Sequence, residues 1–259
     1  MEGEPLMTTQ FPDLKDQSVF ITGGGSGIGA VLTDAFLEQG AKVAFVQRRD
    51  ANAFCEEMEA KHGIRPLFLP CDITDIPALK NAIGEAANQH GPVTVLVNNA
   101  GNDVRHDLSL SVEEWDQNHA INLRPHFFTA QAVAGGMRVA GGGAIINVSS
   151  ASYLMGNDGY PAYVAANAAI TGLTRALARE LGPDKIRVNA LVPGWVLTEK
   201  QLEIWASPED LKEHLKKQCL KEHLKPEDMC GPTLFLASTA SRMMTGQVMA
   251  VDGGVVVTG

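Results

Sequence analysis

The sequence predicts an α/β fold: one doubly wound domain in which a seven-stranded parallel sheet carries helices on both faces. Three observations point there. Strand-length apolar runs alternate with helix-length amphipathic stretches almost to the C-terminus. A glycine-rich turn joins the first apolar run to the first helical stretch. At 259 residues and 45% hydrophobic composition the chain holds enough apolar material for a single well-filled core.

The period of each segment places strands near 18–22, 42–47, 66–70, 93–97, 144–149, 186–192 and 247–251. Between them, helices are expected near 27–39, 50–61, 76–90, 111–137, 160–181, 208–218 and 226–237. The third helix begins after Asp75, a residue suited to capping it, with Pro77 in its first turn. Gly141-Gly142-Gly143 reads as a plain helix-to-strand loop. Residues 1–13 read as a flexible extension ahead of a domain spanning 14–259. Residues 194–225 interrupt the alternation with Trp195, Trp205 and repeated Leu, Lys and His, and are expected to form a lid over the crevice outside the strand ends.

Bulk composition narrows the function. A formal net charge of −9 and the lack of any basic run repel nucleic acid and anionic membrane surfaces, leaving a small-molecule substrate as the expected partner. Cys55, Cys71, Cys219 and Cys230 form no C-x-x-C pair, and the 7 histidines show no H-x-x-x-H spacing, so neither a disulfide framework nor a metal is expected. The segment Met1 to Pro5 is acidic without an apolar signal core, and no run of about 18 apolar residues occurs, so a cytoplasmic protein is expected.

The most informative segment is Thr22-Gly-Gly-Gly-Ser-Gly-Ile-Gly29, between the run Ser18 to Ile21 and a helix. Gly23, Gly25, Ser26, Gly27, Ile28 and Gly29 would let backbone approach a pyrophosphate, which the unpaired N–H groups of the helix start attract. Alone, such a stretch is more often a flexible turn. Set between strand and helix with a second strand after Gly40, it predicts a Rossmann-like dinucleotide site. The second strand ends Val46-Gln47-Arg48-Arg49, with no carboxylate for a ribose 2′-hydroxyl and two cations for a 2′-phosphate. NADP is therefore expected over NAD.

Thr22-Gly23-x-x-x-Gly27-x-Gly29 is followed in order by Asn98-Asn99-Ala100-Gly101, Asn122, Ser149-Ser150, Tyr163, Pro193-Gly194 and Asp252-Gly253-Gly254. Over about residues 14–255 this array resembles the short-chain dehydrogenase/reductase family. The segments Asn98 to His106, Arg175 to Pro183 and Gln218 to Lys221 are similar to bacterial aldose dehydrogenases, which oxidise C1 of D-xylose, L-arabinose or D-galactose to the lactone. The resemblance implies that Tyr163 is the base, Ser150 the donor to the reacting oxygen, and Asn122 the holder of a helix kink and a relay water. It implies cofactor contacts from Asp72, Ile73, Asn98, Ala100, Gly101, Tyr163, Pro193, Gly194, Val196 and Thr198, and a homotetramer. Asn102, Asp103, Arg105, His106, Tyr160, Trp195 and Gln201 are the candidate sugar contacts, with Asp103-Val104-Arg105-His106 standing where the relatives suggest Asp-Asp-Arg-His.

One position departs from the family pattern. The family carries lysine four residues after the tyrosine, and here that residue is Asn167. An amide can hydrogen-bond a ribose but cannot lower the phenol's pKa by charge, and no lysine lies between Lys80 and Lys185 to replace it. Three readings stay open: an aldose dehydrogenase slowed at Asn167, a carbonyl or 3-oxoacyl reductase of the same chemistry, or a catalytically disabled cofactor-binding variant. Tyr153 and Tyr160 are the alternative bases.

Overall fold

A computed structural model of the chain describes residues 9–257. The strands are β1 (Ser18–Thr22), β2 (Lys42–Gln47), β3 (Leu67–Pro70), β4 (Val95–Asn98), β5 (Gly143–Val148), β6 (Ile186–Pro193) and β7 (Val248–Val251). The helices are α1 (Gly27–Glu38), α2 (Asn52–His62), α3 (Ile76–His90), α4 (Val112–Asn122), α5 (Arg124–Val139), α6 (Ser152–Met155), α7 (Pro161–Leu181), α8 (Glu199–Ile204), α9 (Pro208–Lys217) and α10 (Cys230–Ala237). Every strand pair is parallel, in the order β3-β2-β1-β4-β5-β6-β7. The order reverses between β1 and β4, and the crevice of such a sheet opens beyond the strands' carboxyl ends at that point.

Because both faces are covered, the strands read as continuous apolar runs. Val19 and Ile21 of β1 pack with Leu32, Phe36, Cys55, Met58 and Leu234 on one face, and Phe20 packs with Leu79, Ile83, Val133, Met137 and Leu177 on the other. Neighbouring residues in each run therefore serve different cores at period two. Under the crevice a buried polar chain runs across the sheet: Thr129 donates to Asn98 at 2.7 Å, Asn98 to Asn147 at 2.9 Å, and Asn147 to Thr174 at 3.0 Å.

The expected helix 111–137 is two helices. The chain breaks at Leu123, with φ −124° and ψ −52°, because Pro125 in the first turn of α5 has no N–H to continue α4. Ser111 and Glu114 form a reciprocal capping box that starts α4. Of the expected N-terminal extension, residues 1–8 lie outside the described residues, whereas the Phe11 N–H donates to Gln39 at 2.7 Å and Asp13 accepts from the Thr239 N–H at 2.7 Å. Among the described residues no helix is long and apolar enough to cross a membrane.

Candidate active site

The turn after β1 is shaped by what a side chain would strike. Gly23 has φ +72°, and a Cβ on Gly29 would lie 1.8 Å from the Gly23 carbonyl oxygen, so the turn closes on α1 only with glycine there. The Ser26 side chain makes no capping bond to the first N–H groups of α1, which stay open toward an anion at the sheet edge. That cradle fits a dinucleotide pyrophosphate. Gln47 accepts from the Gly25 N–H at 3.0 Å and donates to the Arg49 carbonyl at 3.0 Å, tying the end of β2 to the same turn. Arg48 and Arg49 are exposed beside it, and Arg48 lies 3.8 Å from Asp72. Asp72 also caps its own turn, accepting from the Thr74 N–H and hydroxyl, and those bonds hold its carboxyl below the ordinary range.

Beyond this turn a crevice of about 480 Å³ opens at the carboxyl ends of β4, β5 and β6. Its walls bring together Ile28, Ala100, Gly101, Asn102, Asp103, Arg105, Asn122, Ser150, Tyr160, Tyr163, Asn167, Pro193, Gly194, Trp195, Val196, Thr198 and Gln201 from the expected set. Gly23, Gly25, Ser26, Gly27, Gly29, Gln47, Arg48, Arg49, Asp72 and Ile73 lie outside it.

Two expected residues face elsewhere. Asn98 is 1% exposed and its amide is spent on Asn147 and Thr129, so it braces the floor instead of lining the path; Asn99 lines it in its place. His106 is not among the lining residues and sits 3.9 Å from Glu114 of α4.

Tyr163, Ser150, Asn122 and Asn167 meet at the inner end. The Ser150 hydroxyl oxygen accepts from the Ser152 N–H at 3.2 Å, which leaves its own proton for another oxygen. Asn122 pins the loop after β4, accepting from the Asn102 N–H at 2.7 Å and donating to its carbonyl at 3.0 Å. Asn167, 3% exposed, donates to the Tyr163 carbonyl at 2.9 Å, and its backbone carbonyl accepts from Ser149 at 2.9 Å. Burial pushes the Tyr163 phenol up to about 12, and the charge of Asp103 and the neighbouring Tyr160 add to the rise; Ser150 and Asn167 pull only partly the other way.

The outer end is aromatic and polar. Tyr160 stacks at a tilt against Tyr163, ring centroids 5.5 Å apart. The Arg105 guanidinium lies 4.1 Å from the Trp205 ring centre and 5.7 Å from that of Tyr160. Trp195 donates to Gln201 at 2.8 Å, and His214 meets its ring edge-on at 5.3 Å. Trp205, Asn157, Ser152 and His214 line the crevice without any motif to mark them; Trp205 and His214 fall inside the expected lid, and nothing in the sequence singles out Asn157 or Ser152. His126 also lines the floor, and burial pushes its imidazole down to about 4, a fall slightly offset by the Val148 carbonyl.

A family model described as "Enoyl-(Acyl carrier protein) reductase" matches residues 23–256. The chain is similar to "Probable galactose dehydrogenase GalD" of Rhizobium meliloti (strain 1021), 48% identical over 253 residues, covering 96% of this chain and 99% of that one. It is 46% identical over 246 residues to the D-xylose 1-dehydrogenase of Caulobacter vibrioides, covering 94% and 97%. Among solved structures it resembles a 7α-hydroxysteroid dehydrogenase complexed with NADH and 7-oxo glycochenodeoxycholic acid, at TM-score 0.89 and 30% identity over 95% of this chain and 97% of that one.

Proposed function

The chain belongs to the short-chain dehydrogenase/reductase family of nicotinamide-dependent oxidoreductases, and from that membership we propose that it oxidises C1 of a neutral aldose such as galactose or xylose. The observation that carries the proposal is the convergence of Ser150, Tyr163, Asn122 and Asn167 at the inner end of one crevice whose outer end is lined by Trp195, Trp205, Tyr160 and hydrogen-bonding side chains. A nicotinamide held along the strand ends supplies the hydride acceptor. Ser150 donates to the anomeric oxygen, Tyr163 takes its proton, and the aromatic rings cover the apolar face of the sugar. Cations and carboxylates both line the crevice, so a charged substrate has no matching wall: Arg105 and Lys217 stand against Asp103, Asp210 and Glu213.

Asn167 sets the rate in this reading. With the amides of Asn122 and Asn167 and the Ser150 hydroxyl around it, the phenolate has no lysine to support it, so the base is weak near neutral pH. Asn167→Lys is expected to raise oxidative kcat/KM at pH 7 by at least about tenfold, since a cation one helical turn away lowers a phenol's pKa by about one unit or more. Turnover is followed by the absorbance of reduced nicotinamide with xylose, galactose and a 3-oxoacyl ester side by side. Faster reduction of the ester than oxidation of either sugar would favour a 3-oxoacyl reductase; no turnover by either form, beside tight cofactor binding, would favour a disabled binding protein.

The finer assignments belong to the same proposal. NADP is preferred through Arg48 and Arg49, which are exposed just after β2, a strand whose end carries no carboxylate. The protein works in the cytoplasm as a homotetramer, with exposed apolar side chains of α4 and α5, Val112, Trp115 and Phe127, meeting a second copy. Residues 194–225 act as the lid.

A further inference from the structure

No motif marks Lys200, yet it ties the lid to Asp103 in the crevice wall. From the first turn of α8 its ammonium donates to one carboxylate oxygen of Asp103, on the loop after β4, and the Gln201 amide donates to the other at 2.5 Å. Gln201 is itself fixed by the Trp195 indole at 2.8 Å. The lid thus holds both oxygens of one carboxylate from two successive residues.

Asp103 lines the same crevice as Tyr163, and its side chain is 26% exposed, so its charge is only partly screened by water. Burial works against that charge, but the hydrogen bond and charge of Lys200, with help from Gln201, hold the carboxyl below its ordinary range. Its charge is also one of the influences that keep the Tyr163 phenol protonated. The other charged or titratable groups facing this space are Arg105, which packs on Tyr160 and Trp205, Tyr160 itself, His126 on the floor, and Asp210, Glu213, His214 and Lys217 from α9. Asn167 adds no charge.

Resting on the aldose reading above, we propose that Lys200 is a positioning residue that offsets the charge of Asp103 when the lid is down and so couples proton abstraction by Tyr163 to closure. With α8 docked, the anion that shares the crevice with the phenol is paired and its charge partly offset; with α8 lifted, it is bare and disfavours the phenolate more strongly. Proton transfer from the sugar hydroxyl to the phenolate, with the hydride of C1 passing to a bound nicotinamide, would then be faster in a closed and drier crevice.

The test compares Lys200→Met, Asp103→Asn and the double variant by two readouts. The first is ultraviolet titration of the 3 tyrosines, with Tyr163→Phe identifying the relevant phenol. The second is the pH profile of oxidative kcat/KM. Lys200→Met is expected to raise the Tyr163 midpoint and lower oxidative kcat/KM by roughly three- to tenfold. Asp103→Asn moves the midpoint down, Lys200→Met adds nothing in that background, and Lys200→Arg behaves as the parent. Equal effects of Lys200→Met in both backgrounds, or a change in KM with the phenol unmoved, would overturn the proposal. The titration needs no turnover, so an inactive chain showing the expected ionisation pattern would sink the aldose reading and leave the coupling standing.

Discussion

The phenol of Tyr163 and the amide of Asn167 are one helical turn apart on α7, and the chemistry turns on the difference between an amide and an ammonium at the second position. With the phenol pushed up to about 12, only a small fraction is phenolate near neutrality. Oxidation draws on that fraction, so its kcat/KM should climb by about one log unit per pH unit through the neutral and mildly alkaline range, and Asn167→Lys should move the plateau to lower pH. A flat profile for the parent would show that Tyr163 is not the base. At the other end of the cofactor path, Arg48→Ala with Arg49→Ala is expected to weaken NADP binding by about tenfold or more in calorimetry while leaving NAD within about twofold, because only the 2′-phosphate pairs with a guanidinium. Equal losses for both cofactors would place the arginines outside that role.

At the scale of elements, α4 and α5 show both what the sequence reveals and what it hides. The apolar periodicity of 111–137 is continuous, so it reads as one helix, although Pro125 is the visible breaker that splits it at Leu123. The strands are legible because burial on both faces makes each a bounded apolar run, and the glycine turn is legible because backbone approach leaves only glycine possible at Gly23 and Gly29. Asn98 reads as a path residue because sequence order places it next to the site without telling which way its amide turns. The contacts of Lys200 and Trp205 are hidden for a different reason: they join the lid to the loop after β4, about a hundred residues away, and no local period encodes such pairings. The split helix pair also leaves Val112 and Trp115 exposed, Val112 at 71%. Light scattering of the purified chain is expected to give a tetramer mass, and Trp115→Glu to reduce it while circular dichroism is unchanged; a monomer mass for the parent would overturn the assembly.

For the molecule as a whole, the crevice floor couples function to acid stability through His126. This imidazole is 3% exposed in the first turn of α5, and neither ring nitrogen meets a hydrogen-bond partner of normal geometry among the described residues. Burial lowers its pKa to about 4 in the folded chain, against about 6.5 when unfolded. Between those values the unfolded chain binds the extra proton, so stability is intact above the unfolded pKa and falls as pH drops through the folded one. The full loss is about 3 kcal/mol, because a tenfold change in proton affinity corresponds to about 1.4 kcal/mol. His90 and His214, whose pKa values burial also lowers, pull the same way and make the parent's loss a sum. The variant His126→Phe isolates one share, since an apolar ring of similar shape removes the titration along with the unpartnered nitrogens. Denaturant midpoints at about pH 7 and about pH 4.5 are expected to differ less in His126→Phe than in the parent, and equal differences would mean that this imidazole already carries its proton, or a solvent partner, in the folded state.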